Sequence, residues 1–125
     1  MKVALVVYPD FTALDPIGPY EVISRWPEAK VHFVAGSADP VRCDSGLTVI
    51  PTDTPSTLSD PDLIVVPGSG NPLPVLEDRE LLEWLRVAAP NCAWTASVCT
   101  GAGLYAVAGF SRGRPRPLTG GSATI

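Results

Sequence analysis

The chain has little of what metal and nucleic-acid chemistry usually draws on. It carries one histidine, His32, and three cysteines, Cys43, Cys92 and Cys99, in 125 residues. The cysteines stand far apart with no Cys-x-x-Cys spacing, which argues against a zinc site and against a disulfide framework. Reduced thiols are the simpler expectation. Lys and Arg number 9 against 13 Asp and Glu, a formal net charge of −4. No basic stripe is offered to a phosphate backbone, so neither nucleic acid nor an anionic membrane surface is an expected partner. No apolar run approaches the roughly 20 residues that span a bilayer. The opening run, residues 1–8, is too short for a signal peptide and no small-residue cleavage site follows it, so a cytoplasmic location is expected. What remains is an ordinary globular composition, 46% hydrophobic and 18% charged, long enough for one domain around one core.

Residues 3–8 and 63–66 are continuous apolar runs rich in β-branched side chains, which suits strands buried on both faces. Residues 31–35 and 93–98 read as further strands, and 41–50, interrupted by Asp44-Ser45-Gly46, as a hairpin. The Pro-, Thr-, Ser- and Asp-rich stretch 51–62 reads as loop. Tyr20, Val22, Ile23 and Trp26 predict a short helix with an amphipathic stripe, with Pro16 or Pro19 in its first turn and Pro27 as its stop. Residues 71–74 read as a turn. Residues 76–88 predict a helix with Leu81, Leu82 and Leu85 on one side and an acidic first turn that suits the helix dipole. Residues 100–108 predict a small-residue helix ended by Gly109. Alternating strands and helices argue for an α/β domain with a parallel sheet covered on both faces. Ligands of such sheets bind at the carboxyl ends of the strands. Asp15, Gly68-Ser69-Gly70 and Cys99 each follow a buried strand, so they share that edge.

Cys99 sits between an apolar strand and a helix containing Gly101 and Gly103. A thiol at a helix N-terminus feels the positive end of the dipole, which favours thiolate. Backbone N–H groups of the same turn, beginning with Thr100, suit a developing oxyanion. The shape is that of the hydrolase elbow, with Cys in the nucleophile position. A buried structural cysteine is the competing reading. Asp15, between Leu14 and Pro16, reads either as an acid beside the thiol or as the N-cap of its helix, and local sequence favours the cap. Glu21 reads as a solvated helix residue. Gly68-Ser69-Gly70 lacks the features of a phosphate loop and reads as a turn exposing backbone amides or as a plain turn. His32 reads as a strand residue away from any site; since no histidine follows Cys99, a Cys–His pair could use His32 alone. Cys92 is expected to pack and Cys43 to be partly exposed.

The ordered set Val6-Val7-Tyr8-Pro9, Leu14-Asp15-Pro16-Ile17-Gly18-Pro19-Tyr20-Glu21-Val22, Val65-Val66-Pro67-Gly68 and Thr95-Ala96-Ser97-Val98-Cys99-Thr100-Gly101 resembles the ThiJ/PfpI superfamily, and within it the isonitrile hydratase-like branch. The resemblance implies a flavodoxin-like three-layer sandwich with a mostly parallel sheet, related to glutamine amidotransferase domains and usually a homodimer. It implies hydration of an isonitrile, a small-molecule substrate, to an N-substituted formamide without metal or organic cofactor. Cys99 would be the nucleophile and Asp15 the acid. Thr100, Gly68, Ser69 and Gly18 would line the substrate or oxyanion site. Ser69 replaces the second glycine of the family's turn, and its Cβ is expected to change that turn. The same superfamily includes glyoxalase- or deglycase-type enzymes and the sensory halves of transcription regulators, in which a cysteine such as Cys99 can serve as a redox sensor.

The likeness runs to about Arg114. The family pattern then continues with Thr-Thr-His-Trp, whereas Arg116-Pro117-Leu118-Thr119-Gly120-Gly121 departs from it. A shift of reading frame near codon 115 would account for so abrupt a loss. The expected organisation is an incomplete domain over residues 1–111, cut short after the nucleophile helix, and an irregular tail over 112–125.

Overall fold

A computed structural model describes residues 1–71 and 73–97. Cys99, Thr100 and the helix expected over residues 100–108 lie outside them. In chain order the described strands are β1 (Lys2–Val6), β2 (Lys30–Val34), β3 (Val41–Arg42), β4 (Thr48–Val49), β5 (Leu63–Val66) and β6 (Trp94–Ser97). The helices are α1 (Leu14–Ile23), α2 (Leu73–Leu76) and α3 (Arg79–Ala88), followed by a 3-10 turn, Ala89–Asn91. β1, β2, β5 and β6 form one parallel sheet in the order β2-β1-β5-β6, while β3 and β4 form a small antiparallel hairpin. Numbering only the parallel strands, the order is second, first, third, fourth, as in the flavodoxin arrangement.

β1 lies between two parallel partners, with Val3 opposite both Val31 and Leu63. Its side chains Val3, Ala4, Leu5 and Val6 are fully buried. Alternation along the strand sends them to two cores. Val3 and Leu5 join Val65 on one face, packed by Ile23 of α1 and by Ala29. Ala4 and Val6 join Ile64 and Val66 on the other, packed by Leu81, Trp84, Leu85 and Ala88 of α3. A strand with both faces and both edges covered has no use for polar side chains, which is why its sequence is an unbroken apolar run.

The helices differ in detail from the sequence expectation. The helix read over 76–88 is two helices, and α2 begins inside the segment read as a turn. The break falls at Asp78, whose carboxylate accepts from the Leu81 N–H at 3.2 Å and caps α3. The buried stripe of α3 is Leu81, Trp84, Leu85 and Ala88, so Trp84 takes the place given to Leu82. The Trp84 indole N–H donates to the Leu58 carbonyl at 2.5 Å and ties α3 to the loop before β5. Of the stripe expected on α1, Ile23 packs against the core and Tyr20 meets the Phe33 ring, while Val22 is 65% and Trp26 55% exposed. Pro16 falls in the first turn and Pro19 in the interior.

The outer edge of β2 is covered by the loop that follows the hairpin. Thr52 and Asp53 N–H groups donate to the Phe33 carbonyl at 2.9 and 3.0 Å, and Ala35 N–H donates to the Asp53 carbonyl at 3.3 Å. His32 fastens the same segment. Its Nδ1 lies 2.6 Å from Asp53 Oδ2, and since a carboxylate only accepts, Nδ1 carries the proton. Thr57 and Thr52 hydroxyls also donate to Asp53, at 2.8 and 3.0 Å. Burial pushes the Asp53 carboxyl up, but the bonds from His32, Thr57 and Thr52 and the nearby His32 charge outweigh it, and its pKa lies below the ordinary value of 3.8. Its contribution to stability is therefore complete above that value and lost as pH falls through the lower folded-state pKa. Replacing Asp53 by Ala is expected to cost about 1–3 kcal/mol at neutral pH and to flatten the acid limb of stability against pH. Urea denaturation across the acid range measures both, and an unchanged acid limb would contradict the assignment.

Candidate active site at the switch between β1 and β5

β2 leaves β1 to one side and β5 returns on the other, so the sheet changes direction between β1 and β5. The loops following these two strands meet at their carboxyl ends, where parallel sheets open a crevice. The chain after β1 turns at Asp10, whose φ of 68° is left-handed, a conformation Asp tolerates better than most residues. Phe11 then pairs with Ser69 in an isolated antiparallel bridge. Thr12 N–H donates to the Gly68 carbonyl at 2.9 Å. Together these bonds zip the β1 loop to the β5 loop.

Asp15 completes the junction. Its side chain is 6% exposed, and its Oδ2 accepts the Gly68 N–H at 2.9 Å. This corrects the cap reading. The N-cap of α1 is Ala13, with helical backbone angles and no side-chain hydrogen bond, while the Asp15 carboxylate reaches an amide 53 positions away in sequence. Beside it Tyr8, 2% exposed, donates its hydroxyl to the Pro67 carbonyl at 2.6 Å. The sequence offers Tyr8 as the end of an apolar strand and as part of the Val6-Val7-Tyr8-Pro9 motif, with no role for its hydroxyl. The available signal was chemical: a buried phenol needs a hydrogen-bond partner.

Ser69 is not among the residues with positive φ, so its Cβ brings no backbone strain to the turn. Its hydroxyl instead fastens the turn, donating to the Asp10 carbonyl at 2.7 Å and accepting the Asn71 N–H at 3.0 Å. Gly68 commits its N–H to Asp15. Gly18 lies one turn along α1 from Asp15, and among the described residues a Cβ there would meet only Leu14 Cδ1, at 3.6 Å.

The structure therefore brings Asp15, Gly68 and Ser69 together and leaves Gly18 nearby on the helix that carries Asp15. At the neighbouring strand, Ser97 at the end of β6 is in register with Val66 at the end of β5. Cys99 follows Ser97 in the sequence by two residues, as Gly68 follows Val66.

The other cysteines stand elsewhere. Cys43 is buried, not partly exposed. Its sulfur accepts the Leu47 N–H at 3.1 Å and lies 3.4 Å from the Ser45 hydroxyl. Burial pushes this thiol up, while the Ser45 hydroxyl and the backbone N–H groups of Ser45, Leu47 and Gly46 pull it down, and the net position is below the usual thiol value. Cys92 packs against the α3 core, as expected. Among the described residues no group of three or more His, Cys, Asp or Glu side chains could hold a metal ion.

The model of the DJ-1/PfpI family matches residues 1–121. Over 114 residues the chain is 32% identical to the isonitrile hydratase of Pseudomonas putida, covering 91% of this chain and 50% of that protein. The chain thus spans about half the length of the curated relative it matches. A ThiJ/PfpI family protein from Pseudomonas syringae superposes with a TM-score of 0.81 at 33% identity, covering 86% of this chain and 46% of that one. A putative transcriptional regulator protein from Vibrio parahaemolyticus shares the fold at a TM-score of 0.74 and 19% identity, over 88% of this chain and 62% of that one.

The fastening role of Ser69 has a direct test. Ser69→Gly, which restores the glycine of the family's turn, is expected to lower stability by about 0.5–1.5 kcal/mol and to speed exchange of the Asn71 amide. Denaturant melts and hydrogen exchange read the two effects. A gain in stability would mean that the hydroxyl strains the turn rather than holding it.

Proposed function

The chain belongs to the DJ-1/PfpI family, and from that premise we propose that it carries the thiol and the acid of a cysteine-dependent hydratase that turns an isonitrile into an N-substituted formamide. The observation that carries the reading is the buried Asp15 carboxylate, anchored on the Gly68 N–H at the carboxyl edge of the sheet, where parallel sheets hold their ligands. The likeness to an isonitrile hydratase supports the choice of substrate class.

In this reading the Cys99 thiolate attacks the terminal isonitrile carbon and forms a C–S bond. Asp15 delivers a proton to that carbon, which leaves a thioimidate, R–N=CH–S–Cys99. Water then adds to the same carbon. As the C–O bond forms, one water proton passes to the nitrogen and the other to Asp15. The C–S bond breaks, Cys99 departs as thiolate, and the formamide R–NH–CHO is released. The sum is isonitrile plus water, with the thiolate and the acid regenerated. The Thr100 N–H holds the oxyanion that develops as water adds, and the Gly68-Ser69 turn and Gly18 border the substrate. No metal or organic cofactor enters these steps. The reading carries a cytoplasmic homodimer and a domain over residues 1–111.

Incubating the chain with an alkyl isonitrile and following formamide by mass spectrometry tests the proposal. Cys99→Ala is expected to abolish formamide production, and Asp15→Asn to lower kcat by about 10²–10⁴. Formamide production that survives Cys99→Ala would remove the thiol from the mechanism. Turnover of methylglyoxal with the isonitrile inert would move the assignment to a glyoxalase-type reaction. Turnover of neither would move it to a sensing domain.

A further inference from the structure

We propose that Tyr8 is a positioning residue for Asp15 and acts through the peptide group between Pro67 and Gly68; the inference deepens the function proposed above and takes Asp15 as its acid. That peptide is held at both ends. Its carbonyl accepts the Tyr8 hydroxyl at 2.6 Å, and its N–H donates to Asp15 Oδ2 at 2.9 Å. A trans peptide is planar, with C=O and N–H pointing in opposite directions. Fixing the carbonyl therefore fixes the direction in which the N–H points, and with it the carboxylate that the N–H holds. The Tyr8 bond also draws electron density toward the Pro67 oxygen, which makes the Gly68 N–H a stronger donor. Hydrogen bonds in such a chain reinforce one another.

The connectivity makes the arrangement a pincer. Tyr8 and Asp15 belong to the same connection, at the end of β1 and the start of α1, and they grip the β5 loop from both sides of one peptide. The Thr12 N–H, between them in sequence, holds the next carbonyl, that of Gly68, at 2.9 Å. Phenylalanine would fill the Tyr8 position with nearly the same ring, among Val6, Phe11 and the rest of the α3-side core. The hydroxyl adds the bond to Pro67, and through it a constraint on Asp15.

Tyr8→Phe in the full chain separates positioning from packing. The Gly68 amide proton is expected to move upfield in the NMR spectrum, and its exchange to speed about 3- to 10-fold, as for the loss of one hydrogen bond. In an Asp15→Asn background the same substitution is expected to change Gly68 exchange less, because the donor no longer faces a carboxylate. With an isonitrile, kcat is expected to fall about 3- to 10-fold with KM unchanged. Val3→Ala, in the opposite core, lowers stability without moving the Gly68 amide and controls for destabilisation alone. Fluorotyrosine at position 8, a stronger donor of the same shape, is expected to shift the Gly68 amide downfield, and it serves if Tyr8→Phe does not fold. An unmoved Gly68 amide in either variant overturns the inference. So does an effect of full size in the Asp15→Asn background. If the wild-type chain does not hydrate isonitriles, the amide measurements still decide the role of Tyr8, so failure of this inference and failure of the proposed reaction give different results.

Discussion

The rest of the structure depends on β1 being covered on every side. Parallel partners take both of its edges, and its alternating side chains enter two separate cores. Such a strand cannot shift by one residue without exchanging the two cores, because a single-residue slip sends every side chain to the opposite face. Its register is therefore strongly fixed, and so is the point where it ends. The loop leaving that point carries Tyr8, Asp10, Thr12 and Asp15, and each of them bonds a partner on another segment. The accuracy of the acid's position is inherited from the rigidity of the strand beneath it.

The same constraint explains the polar design of the junction. Where two loops cross the end of a sheet, their backbone groups lie in partly buried surroundings and need partners. Here they find them in one another, through the Phe11–Ser69 bridge, the Thr12–Gly68 bond and the Ser69 hydroxyl. Asp15 joins as one more acceptor in that network. The Asp15 carboxyl group fastens two loops across the end of the sheet, and a cap reading of it looks reasonable until its partner is known.

Features of the sequence were legible in proportion to how local their causes are. β1 and β5 are apolar runs because they are buried on both faces, and the hairpin follows from Gly46, whose φ is +106°. The crevice edge was legible as well, since Asp15 and Gly68 each follow a buried strand. What escaped was set by distant partners. The carboxylate of Asp15 bonds an amide far along the chain, and the burial of Cys43 follows from packing against the α3 core. His32 sat in a strand with nothing polar beside it in sequence, and its partner Asp53 lies 21 positions away. The break at Asp78 was hidden because Leu76, Leu81 and Leu85 continue an apolar pattern across it, while the cap depends on one carboxylate meeting one N–H.

The zip between the two loops also bears on the order in which the protein is made. Every described bond that orients Asp15 or fastens the turn beside it comes from residues 8–71. A chain emerging from the ribosome presents its N-terminal part first, so these partners are all available while Cys99 has yet to be synthesised. The two loops can therefore begin to pair before the C-terminal part of the chain has emerged. A lesion in these N-terminal loops would thus act during synthesis, while the chain is still growing.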